Sequence, residues 1–364
     1  MQIENKPIYL DNAATTAVTE PVLEAMLPYL TTEYGNPSSI HQKGKKAKQA
    51  VEHAREQVAE AINAEPEQVF FTSGATESNN WAGLFCRAMS PYEHHSLSTQ
   101  FISRTFEDVE QFVKILERYS AYNIFTHILV NNETGEIYNI EPYICEAHKV
   151  EAVFHTDATQ AFGHIPLDVK AMDIDYMSLS GHKFHAPKGV GILYVKNPKD
   201  FEPCNFGGGQ EKGMRSGTEN VASIVGMGKA AELYNYSPEE YDRMWNLNYA
   251  IRSFIKNQIA DTYFTLDYAT TRVVPNIISV AFKDVYGGDL VELMSEKGVY
   301  IGSGSACSSN SGNDVSATIQ RSRLPDELKQ NVIRISMSND TTKDEVNRAV
   351  RIMKACVEQI RALK

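Results

Sequence analysis

The chain has 364 residues, of which 42% are apolar, and a formal net charge of −11. This length and composition predict two domains, or one large domain with a smaller companion, and the acidic balance without a basic run argues against a protein that binds nucleic acid by itself. Since the N-terminus has no apolar signal core and no segment reaches membrane-spanning length, we expect a soluble, cytoplasmic protein without a membrane anchor.

Short β-rich runs alternate with helical patterns, which predicts an α/β fold with a mostly parallel central sheet. The predicted strands of the larger part are 69–72, 127–130, 152–156, 176–179 and 191–195. The predicted helices of the same part are one that begins after an N-cap at Thr19, and 43–63, 74–89, 106–119 and 141–149.

A second long helix at 237–260 leads into the predicted smaller domain. That domain is expected to contain strands at 277–282 and 332–337, a helix at 288–297 and a final amphipathic helix at 342–363. The expected boundaries are 16–250 for the large domain, and 1–15 with 251–364 for the small domain.

The first motif with chemical meaning is Thr72-Ser-Gly-Ala-Thr76, in which a predicted strand runs through a glycine into a helix. Small residues there leave backbone N–H groups free at the positive end of the helix, which favours phosphate binding. A strand–turn–helix junction also needs glycine and a capping threonine for structural reasons. The motif alone leaves both interpretations open.

The second motif, Ser178-Leu-Ser-Gly-His-Lys183, follows a predicted strand and precedes a glycine-rich loop. A lysine held between a strand end and such a loop loses hydration, which favours the neutral amine that Schiff-base chemistry requires. Ser180 and His182 can both bind a phosphate ester, so Lys183 is the candidate reactive amine. Lys188 is the better candidate for an ordinary solvated lysine.

The third motif is His155-Thr-Asp157-Ala-Thr-Gln160, in which Asp157 ends an apolar strand. The carboxyl edge of a parallel sheet is where α/β proteins place ligands. A carboxylate there can pair with a protonated pyridine nitrogen. The alternative is that Asp157 caps a following helix.

The five cysteines are odd in number and free of CxxC pairs, which predicts a reducing compartment and no disulfide framework. Cys307 lies in Gly302-Ser-Gly-Ser-Ala-Cys307-Ser-Ser, a polar sequence typical of an exposed loop, and is therefore the candidate reactive thiol. The other four lie in more apolar or helical contexts and are expected to be inert.

Arg334 stands alone within an apolar predicted strand, where an unpaired charge is costly. It could hold a substrate carboxylate or form an internal salt bridge, and both remain open. For Glu93-His94-His95, a zinc site is disfavoured because adjacent histidines lack the i, i+4 helical spacing, and we expect no metal.

Together these motifs resemble, in order and spacing, the cysteine desulfurases, which have the fold-type-I pyridoxal-phosphate (class V aminotransferase) fold. The resemblance runs nearly end to end. The further segments that carry it are Tyr9-Leu-Asp11-Asn12-Ala-Ala-Thr15-Thr16, Tyr34-Gly35-Asn36-Pro37-Ser-Ser-Ile-His41, Gly74-Ala-Thr76-Glu77-Ser-Asn79-Asn80, Val130-Asn131-Asn132-Glu133-Thr-Gly135, Gly207-Gly-Gly-Gln-Glu211, Arg215-Ser-Gly-Thr218-Glu-Asn220 and Gly304-Ser-Ala-Cys307-Ser-Ser.

The resemblance implies a role for each matching residue of the large domain, which would bind pyridoxal 5'-phosphate. Lys183 would bond covalently to this cofactor and shuttle protons, and His94 would stack on its ring and move protons. Asp157 would hold the pyridine nitrogen and Gln160 the phenolate oxygen. The residues implied to bind the phosphate are the amide of Ala75, Thr76, Ser180, His182 and, from the other subunit of a homodimer, Thr218.

The resemblance further implies that Asn132 and Arg334 hold the substrate carboxylate, and that Cys307, on a loop of the small domain, attacks the substrate sulfur. The implied reaction converts L-cysteine to L-alanine and leaves a persulfide on Cys307. A sulfur-acceptor or scaffold protein would take the sulfur for iron–sulfur clusters or tRNA thiolation. The alternatives are a selenocysteine lyase and a weakly active scaffold that binds a sulfur-carrier partner.

The sequence departs from the family pattern between Thr76 and Asn132, which is shortened. The strand before Glu93 and a strand–loop unit after His94 are expected to be lost, which would remodel one edge of the sheet and displace His94. Two smaller departures are Ala186 where the family favours glycine and Ser338-Asn-Asp340 after the Arg334 strand.

Overall fold

The computed structural model describes residues 6–84, 86–98, 104–119, 123–303 and 315–363. It divides the chain into two units. The first unit consists of Met1–Thr15, Val130–Tyr138 and Ser237–Lys364, and the second of Thr16–Leu129 and Asn139–Tyr236.

Strands and helices alternate along most of the described chain. The strands, in chain order, are β1 (Ile8–Leu10), β2 (Val69–Thr72), β3 (Cys86–Met89), β4 (Ile124–Thr126), β5 (Val153–Asp157), β6 (Tyr176–Ser180), β7 (Gly191–Val195), β8 (Thr262–Phe264), β9 (Ile277–Phe282), β10 (Val299–Ser303) and β11 (Val332–Ser336). The helices are α1 (Glu20–Thr31), α2 (Gln42–Ala61), α3 (Ala75–Gly83), α4 (His95–Ser98), α5 (Val109–Leu116), α6 (Glu141–His148), α7 (Val221–Leu233), α8 (Pro238–Gln258), α9 (Gly287–Glu296), α10 (Ala317–Gln320) and α11 (Lys343–Ala362).

Within the described residues, the second unit has a six-stranded sheet in the order β2-β7-β6-β5-β4-β3. Strands β3 to β6 pair in parallel, and β7 runs antiparallel to both its neighbours. Parallel strands are buried on both faces and therefore read as continuous apolar runs. The predicted α/β class with central parallel strands is confirmed.

The described part of the first unit has a five-stranded sheet in the order β1-β10-β11-β9-β8, of which only β1 and β10 pair in parallel. Helix α11 begins at a capping box formed by Thr342 and Glu345, which satisfies two amide donors of its first turn. Its buried residues recur at helical spacing and contribute to the core of this unit: Val346, Ala349, Val350, Met353, Cys356, Val357 and Ile360.

The first unit includes residues 130–138 and all of α8, beyond the small domain expected from the sequence at 1–15 and 251–364. Helix α8 begins at Ser237, whose Oγ accepts a hydrogen bond from the amide of Glu240, and it packs on α11. The assignment of roles to these domains stays a prediction.

One of the losses expected in the shortened segment was wrong, because the strand before Glu93 is present. The loss of a strand–loop unit after His94 and the displacement of His94 stay predictions. The predicted helix 74–89 ends at Gly83, and β3 follows it, so the strand before Glu93 is present. The predicted strand 127–130 is instead β4 at Ile124–Thr126, which pairs with both β3 and β5. Short apolar runs do not distinguish a buried strand from a helix, nor fix its ends, and pairing within the sheet decided both.

Among the described residues, no helix is long and apolar enough to span a membrane.

Candidate active site

Asp157 ends β5 in the second unit and is 4% exposed. Its Oδ2 accepts a hydrogen bond from Nδ2 of Asn79 on α3 at 2.6 Å. Its Oδ1 accepts one from the amide of Thr159 at 2.9 Å. The carboxylate therefore caps a turn and not a helix, as the alternative had expected, while its other oxygen faces α3.

His94 is joined to Asp157 through two intervening side chains. Nδ2 of Asn79 also donates to Oγ of Ser96 at 2.8 Å, and that hydroxyl lies 2.9 Å from Nδ1 of His94. The Ser96 amide donates to the same Nδ1 at 3.2 Å, which assigns the ring proton to Nε2. Burial lowers the pKa of His94, and the charge of Lys183 lowers it further, against the opposite effect of Asp157. The imidazole is thus neutral at physiological pH.

Lys183 ends a short 3-10 turn, Gly181–Lys183, that directly follows β6. The turn is held to Thr16, whose amide and hydroxyl donate to the carbonyl of His182 at 2.8 and 3.1 Å. Burial, aided by the charges of Lys183 and Lys188, lowers the pKa of His182 to about 4. Lys188 is exposed, which confirms that it is the solvated lysine of the pair.

A helix N-terminus suited to a phosphate lies where β2 passes into α3. Gly74 has φ +153° and precedes a helix that begins without a side-chain cap. The predicted strand–glycine–helix junction is confirmed. A Cβ on Gly191 would lie 2.6 Å from Cα of Gly74, so only glycine lets β7 approach this turn. A Cβ on Gly74 itself would lie 3.6 Å from Oγ of Ser180, which is an ordinary van der Waals contact.

Thr218 and Thr76 are both exposed in the second unit. Thr218 lines a cavity of about 240 Å3 together with Ser73 and Arg215. Arg215 in turn forms a two-pronged ion pair with Glu77 of α3, at 2.7 and 3.0 Å. Gln160, by contrast, is 5% exposed.

The residues of the second unit fit pyridoxal phosphate. The buried carboxylate of Asp157 suits a protonated ring nitrogen, and the uncapped start of α3 suits a phosphate. Oδ1 of Asn79 is buried and has no hydrogen-bond partner among the described residues, so the site has an unused acceptor beside Asp157.

In the first unit, Arg334 lies on β11 and is 4% exposed. Its Nη2 donates to Oδ1 of Asp11 at 2.8 Å, and its Nη1 donates to the carbonyl of Asn132 at 2.7 Å. Nε is buried with no partner in the described part of the chain. The internal salt bridge is therefore present, and a donor remains for a ligand.

Cys307 and its motif lie outside the described residues. The described cysteines are Cys86, Cys145, Cys204 and Cys356, and none of the four forms a disulfide. Burial raises the pKa of the Cys86 thiol to about 12 and that of Cys204 to about 11. Cys145 lies on α6 but is exposed.

Sequence reasoning missed a hydrogen-bonded chain that crosses β4, β5 and β6. Oγ1 of Thr126 lies 3.2 Å from Oε1 of Glu93 and 2.8 Å from Nδ1 of His155, whose Nε2 lies 2.9 Å from Oγ of Ser178. Burial and the charge of Asp157 raise the pKa of Glu93 well above its ordinary value, and burial lowers that of His155 to about 4. For both groups burial therefore favours the neutral form. For Thr126, His155 and Ser178 the signal in the sequence was a polar residue within an apolar strand, whereas Glu93 lies outside the strands.

His94 and His95 are adjacent, with ring centroids 6.3 Å apart and planes at 67°. In the part of the chain that the structure describes, no group of three or more His, Cys, Asp or Glu side chains is arranged to hold a metal ion.

The Aminotransferase class-V family model matches residues 8–95 and 103–349. "Cysteine desulfurase IscS" of Methanosarcina thermophila is 37% identical over 98% of this chain and 94% of its own length.

Two solved structures are similar over almost their whole length. A structure described as "NIFS-LIKE PROTEIN" has a TM-score of 0.84 and 30% identity, covering 97% of this chain and 100% of that one. The NifS-like protein from Rickettsia africae has a TM-score of 0.85 and 28% identity, covering 98% and 99%.

Proposed function

Since this chain belongs to the class-V aminotransferase family and is a pyridoxal-phosphate-dependent cysteine desulfurase, we propose the residues by which it removes sulfur from L-cysteine and passes it on. The fold is that of the class-V aminotransferases, as the sequence predicted. The observation that carries the residue assignments is the buried carboxylate of Asp157, joined through Asn79 and Ser96 to His94.

The second unit holds the cofactor. Asp157 would hold the pyridine nitrogen and Gln160 the phenolate oxygen, and His94 would stack on the ring. The phosphate would be bound by Ser180, His182, Thr76 and the amide of Ala75, with Thr218 supplied by the other subunit. Bound pyridoxal phosphate supplies an electron-withdrawing ring that stabilises negative charge at the substrate Cα.

Lys183 would hold the cofactor through its amine, and the same amine would remove the Cα proton of the substrate. The charge of Lys183 acts on both His94 and His182, which supports an amine close to the two residues it is proposed to work with. His94 is neutral with its proton on Nε2, so that atom can donate a proton during the reaction.

The first unit holds the substrate carboxylate on Arg334 and Asn132. The unpartnered Nε of Arg334 supports this role, because a buried donor without an acceptor is costly unless a ligand satisfies it. The carbonyl of Asn132 already orients the guanidinium.

Cys307 takes the sulfur. Its thiolate forms an S–S bond with the substrate sulfur as the C–S bond breaks. The electron pair of that bond stays with the carbon, which takes up a proton and leaves as alanine. The resulting persulfide is the sulfur donor for an acceptor or scaffold protein that serves iron–sulfur cluster assembly or tRNA thiolation.

The assignment of Lys183 is tested by hydride reduction of the holoenzyme followed by mass spectrometry. The cofactor is expected on the peptide that contains Lys183, and to be lost in Lys183→Ala but retained in Lys188→Ala. A cofactor adduct on another lysine overturns the assignment.

The assignment of Cys307 is tested by alanine production from cysteine. Cys307→Ser is expected to bind cysteine with a colour change but to produce no alanine beyond background, while Cys145→Ser, at an exposed cysteine, keeps full activity. Unchanged production by Cys307→Ser would show that another group takes the sulfur. Parallel assays with selenocysteine distinguish a selenocysteine lyase, and a protein that refuses the cofactor would indicate a scaffold.

A homodimer in the cytoplasm is part of the proposal. Helix α1 exposes Leu23, Leu27 and Leu30 at 45%, 46% and 59%, an apolar face at helical spacing that a second copy would cover. Light scattering is expected to give twice the chain mass for the wild type and a monomer for Leu27→Glu.

A further inference from the structure

The guanidinium of Arg334 is the centre of a cluster of charged groups in the first unit. It already pairs with the carboxylate of Asp11 at 2.8 Å and is oriented by the carbonyl of Asn132. Its Nε is the one guanidinium nitrogen without a partner among the described residues. Arg334 therefore contacts one carboxylate, and its Nε remains available to a ligand.

Glu133 is a second carboxyl group of this cluster. It directly follows Asn132, and its Oε2 accepts a short hydrogen bond from Oγ of Ser316. That same Oγ caps α10 by accepting from the amide of Ile319 at 3.2 Å. Burial raises the pKa of Glu133 to about 7, against the opposing effects of the Ser316 hydroxyl and the Arg334 charge.

The other charged groups around Glu133 come from three elements. Arg334 on β11 acts on it electrostatically, and Asp11, which follows β1, forms an ion pair with Arg334. Glu136, in the same turn, has Arg323 as its electrostatic partner, and burial raises its pKa as well. Among the described residues, Arg334 is therefore the cation that stabilises an ionised Glu133.

A substrate carboxylate at Nε would change this balance. The positive charge of Arg334 would then be shared among three negative charges, those of Asp11, Glu133 and the substrate. Arg334 is buried and the two carboxylates of the protein are half-buried. Like charges a few ångströms apart disfavour the ionised form, and the group that is easiest to neutralise takes the proton. Glu133 is that group, because burial has already raised its pKa to about 7.

We propose that Glu133 takes up a proton when the substrate carboxylate binds to Arg334, so that it is a positioning residue whose protonation is part of substrate binding. This inference rests on the proposed role of Arg334. Its consequence is that carboxylate binding weakens as the pH rises through the neutral range, because the proton becomes harder to supply.

The test uses the holoenzyme and propionate, a carboxylate that has neither an amine nor a sulfur and cannot react with the cofactor. Calorimetric titration at pH 8 in two buffers with different ionisation enthalpies gives the number of protons taken up on binding. The wild type is expected to take up most of one proton per propionate. Its affinity is expected to fall about fivefold between pH 7 and pH 8.

Two variants isolate Glu133 within the cluster. Glu133→Gln keeps the shape of a protonated carboxyl group and is expected to bind propionate with no proton uptake and no fall in affinity over this pH range. Ser316→Ala removes a hydrogen bond that stabilises the ionised form, so the fall in affinity should move to higher pH. Glu136→Gln is the matched control and should behave as the wild type.

The outcomes separate this inference from the role of Arg334. Propionate binding to the wild type without proton uptake, or with the same uptake in Glu133→Gln, overturns the inference and leaves Arg334 as the carboxylate site. Absence of propionate binding, or equal binding by Arg334→Ala, overturns both. Lys183 or His94 could also take up a proton when a carboxylate binds, so the difference in proton count between the wild type and Glu133→Gln, together with the shift in Ser316→Ala, decides the question.

Discussion

Asn79 and Asp157 are joined by a 2.6 Å hydrogen bond from the amide Nδ2 to the carboxylate Oδ2, between residues 78 positions apart in the chain. The same nitrogen donates to Ser96, which contacts His94. One amide group therefore orients both the proposed partner of the pyridine nitrogen and the proposed stacking histidine.

We expect Asn79→Ala to bind pyridoxal phosphate about tenfold to a hundredfold more weakly, because a hydrogen bond to a buried charged group contributes about 1.5–3 kcal/mol. Equilibrium dialysis of the cofactor against the apoprotein measures this. Asn197→Ala, at an exposed asparagine of the same unit, should leave the affinity unchanged. Equal affinities for wild type and Asn79→Ala would mean that Asp157 needs no such support.

Glu93→Gln is expected to stabilise the protein increasingly as the pH rises. The folded-state pKa of Glu93 is raised by burial and by Asp157. The stability that this group contributes is therefore present below its unfolded pKa and is lost as the pH rises toward the folded value. The variant does not titrate, so its advantage in unfolding free energy should grow by up to about 1.4 kcal/mol per pH unit.

Denaturant unfolding at pH 5.5, 6.5 and 7.5 measures this trend. Glu77→Gln provides the contrast, because pairing with Arg215 and the Ser73 amide lowers the pKa of Glu77 despite its burial. The free energy of unfolding that Glu77→Gln loses relative to the wild type should be constant over this range, which lies above the unfolded pKa of Glu77. The loss should shrink only in acid. A pH-independent difference for Glu93→Gln would show that Glu93 is ionised in the folded protein.

Arg55 and Glu211 form a buried ion pair at 2.7 Å, with side chains 2% and 3% exposed. Arg55→Met leaves the Glu211 carboxylate without its cation and should lower the free energy of unfolding by about 3–5 kcal/mol. The double variant Arg55→Met, Glu211→Gln removes the unpaired buried charge as well, and should lose clearly less free energy of unfolding than Arg55→Met alone. Chemical denaturation compares the two, and equal losses would contradict the charge argument.

The exposed pair of Lys114 and Glu110 provides a control for this experiment. Its side chains are 65% and 80% exposed, so Lys114→Ala should leave the stability almost unchanged, since water and salt screen such pairs.

Gly302→Ala is expected to weaken the binding of the substrate carboxylate. A Cβ at this position would lie 2.7 Å from Oδ1 of Asp11 and 3.3 Å from Nε of Arg334, so the ion pair must shift. KM for cysteine should rise about tenfold with a smaller effect on kcat, because the interaction serves binding. In Gly288→Ala the new Cβ meets the ring of Tyr286 instead, and KM should not change. A fall in kcat alone would argue against the assignment of Arg334.

The sequence alone determined the chemistry that is local to a short stretch of chain. The passage of β2 into α3, the place of Asp157 at the end of β5 and the exposure of Lys188 follow from backbone preferences and apolar runs over a few residues. The family could likewise be inferred from motifs in order, because each motif meets a local geometric need. The role of Lys183 stays a prediction that hydride trapping tests.

Only the tertiary structure decided which distant side chains meet. The contacts of Asn79 with Asp157, of Arg55 with Glu211 and of Glu133 with Ser316 join residues 78 to 183 positions apart. The presence of β3 and the position of β4 also depended on the pairing of β3 with β4 and of β4 with β5, since short apolar runs are ambiguous in isolation. Hydrogen bonds and ion pairs of this kind depend on packing across the whole unit, and no local pattern encodes which partners that packing brings within reach.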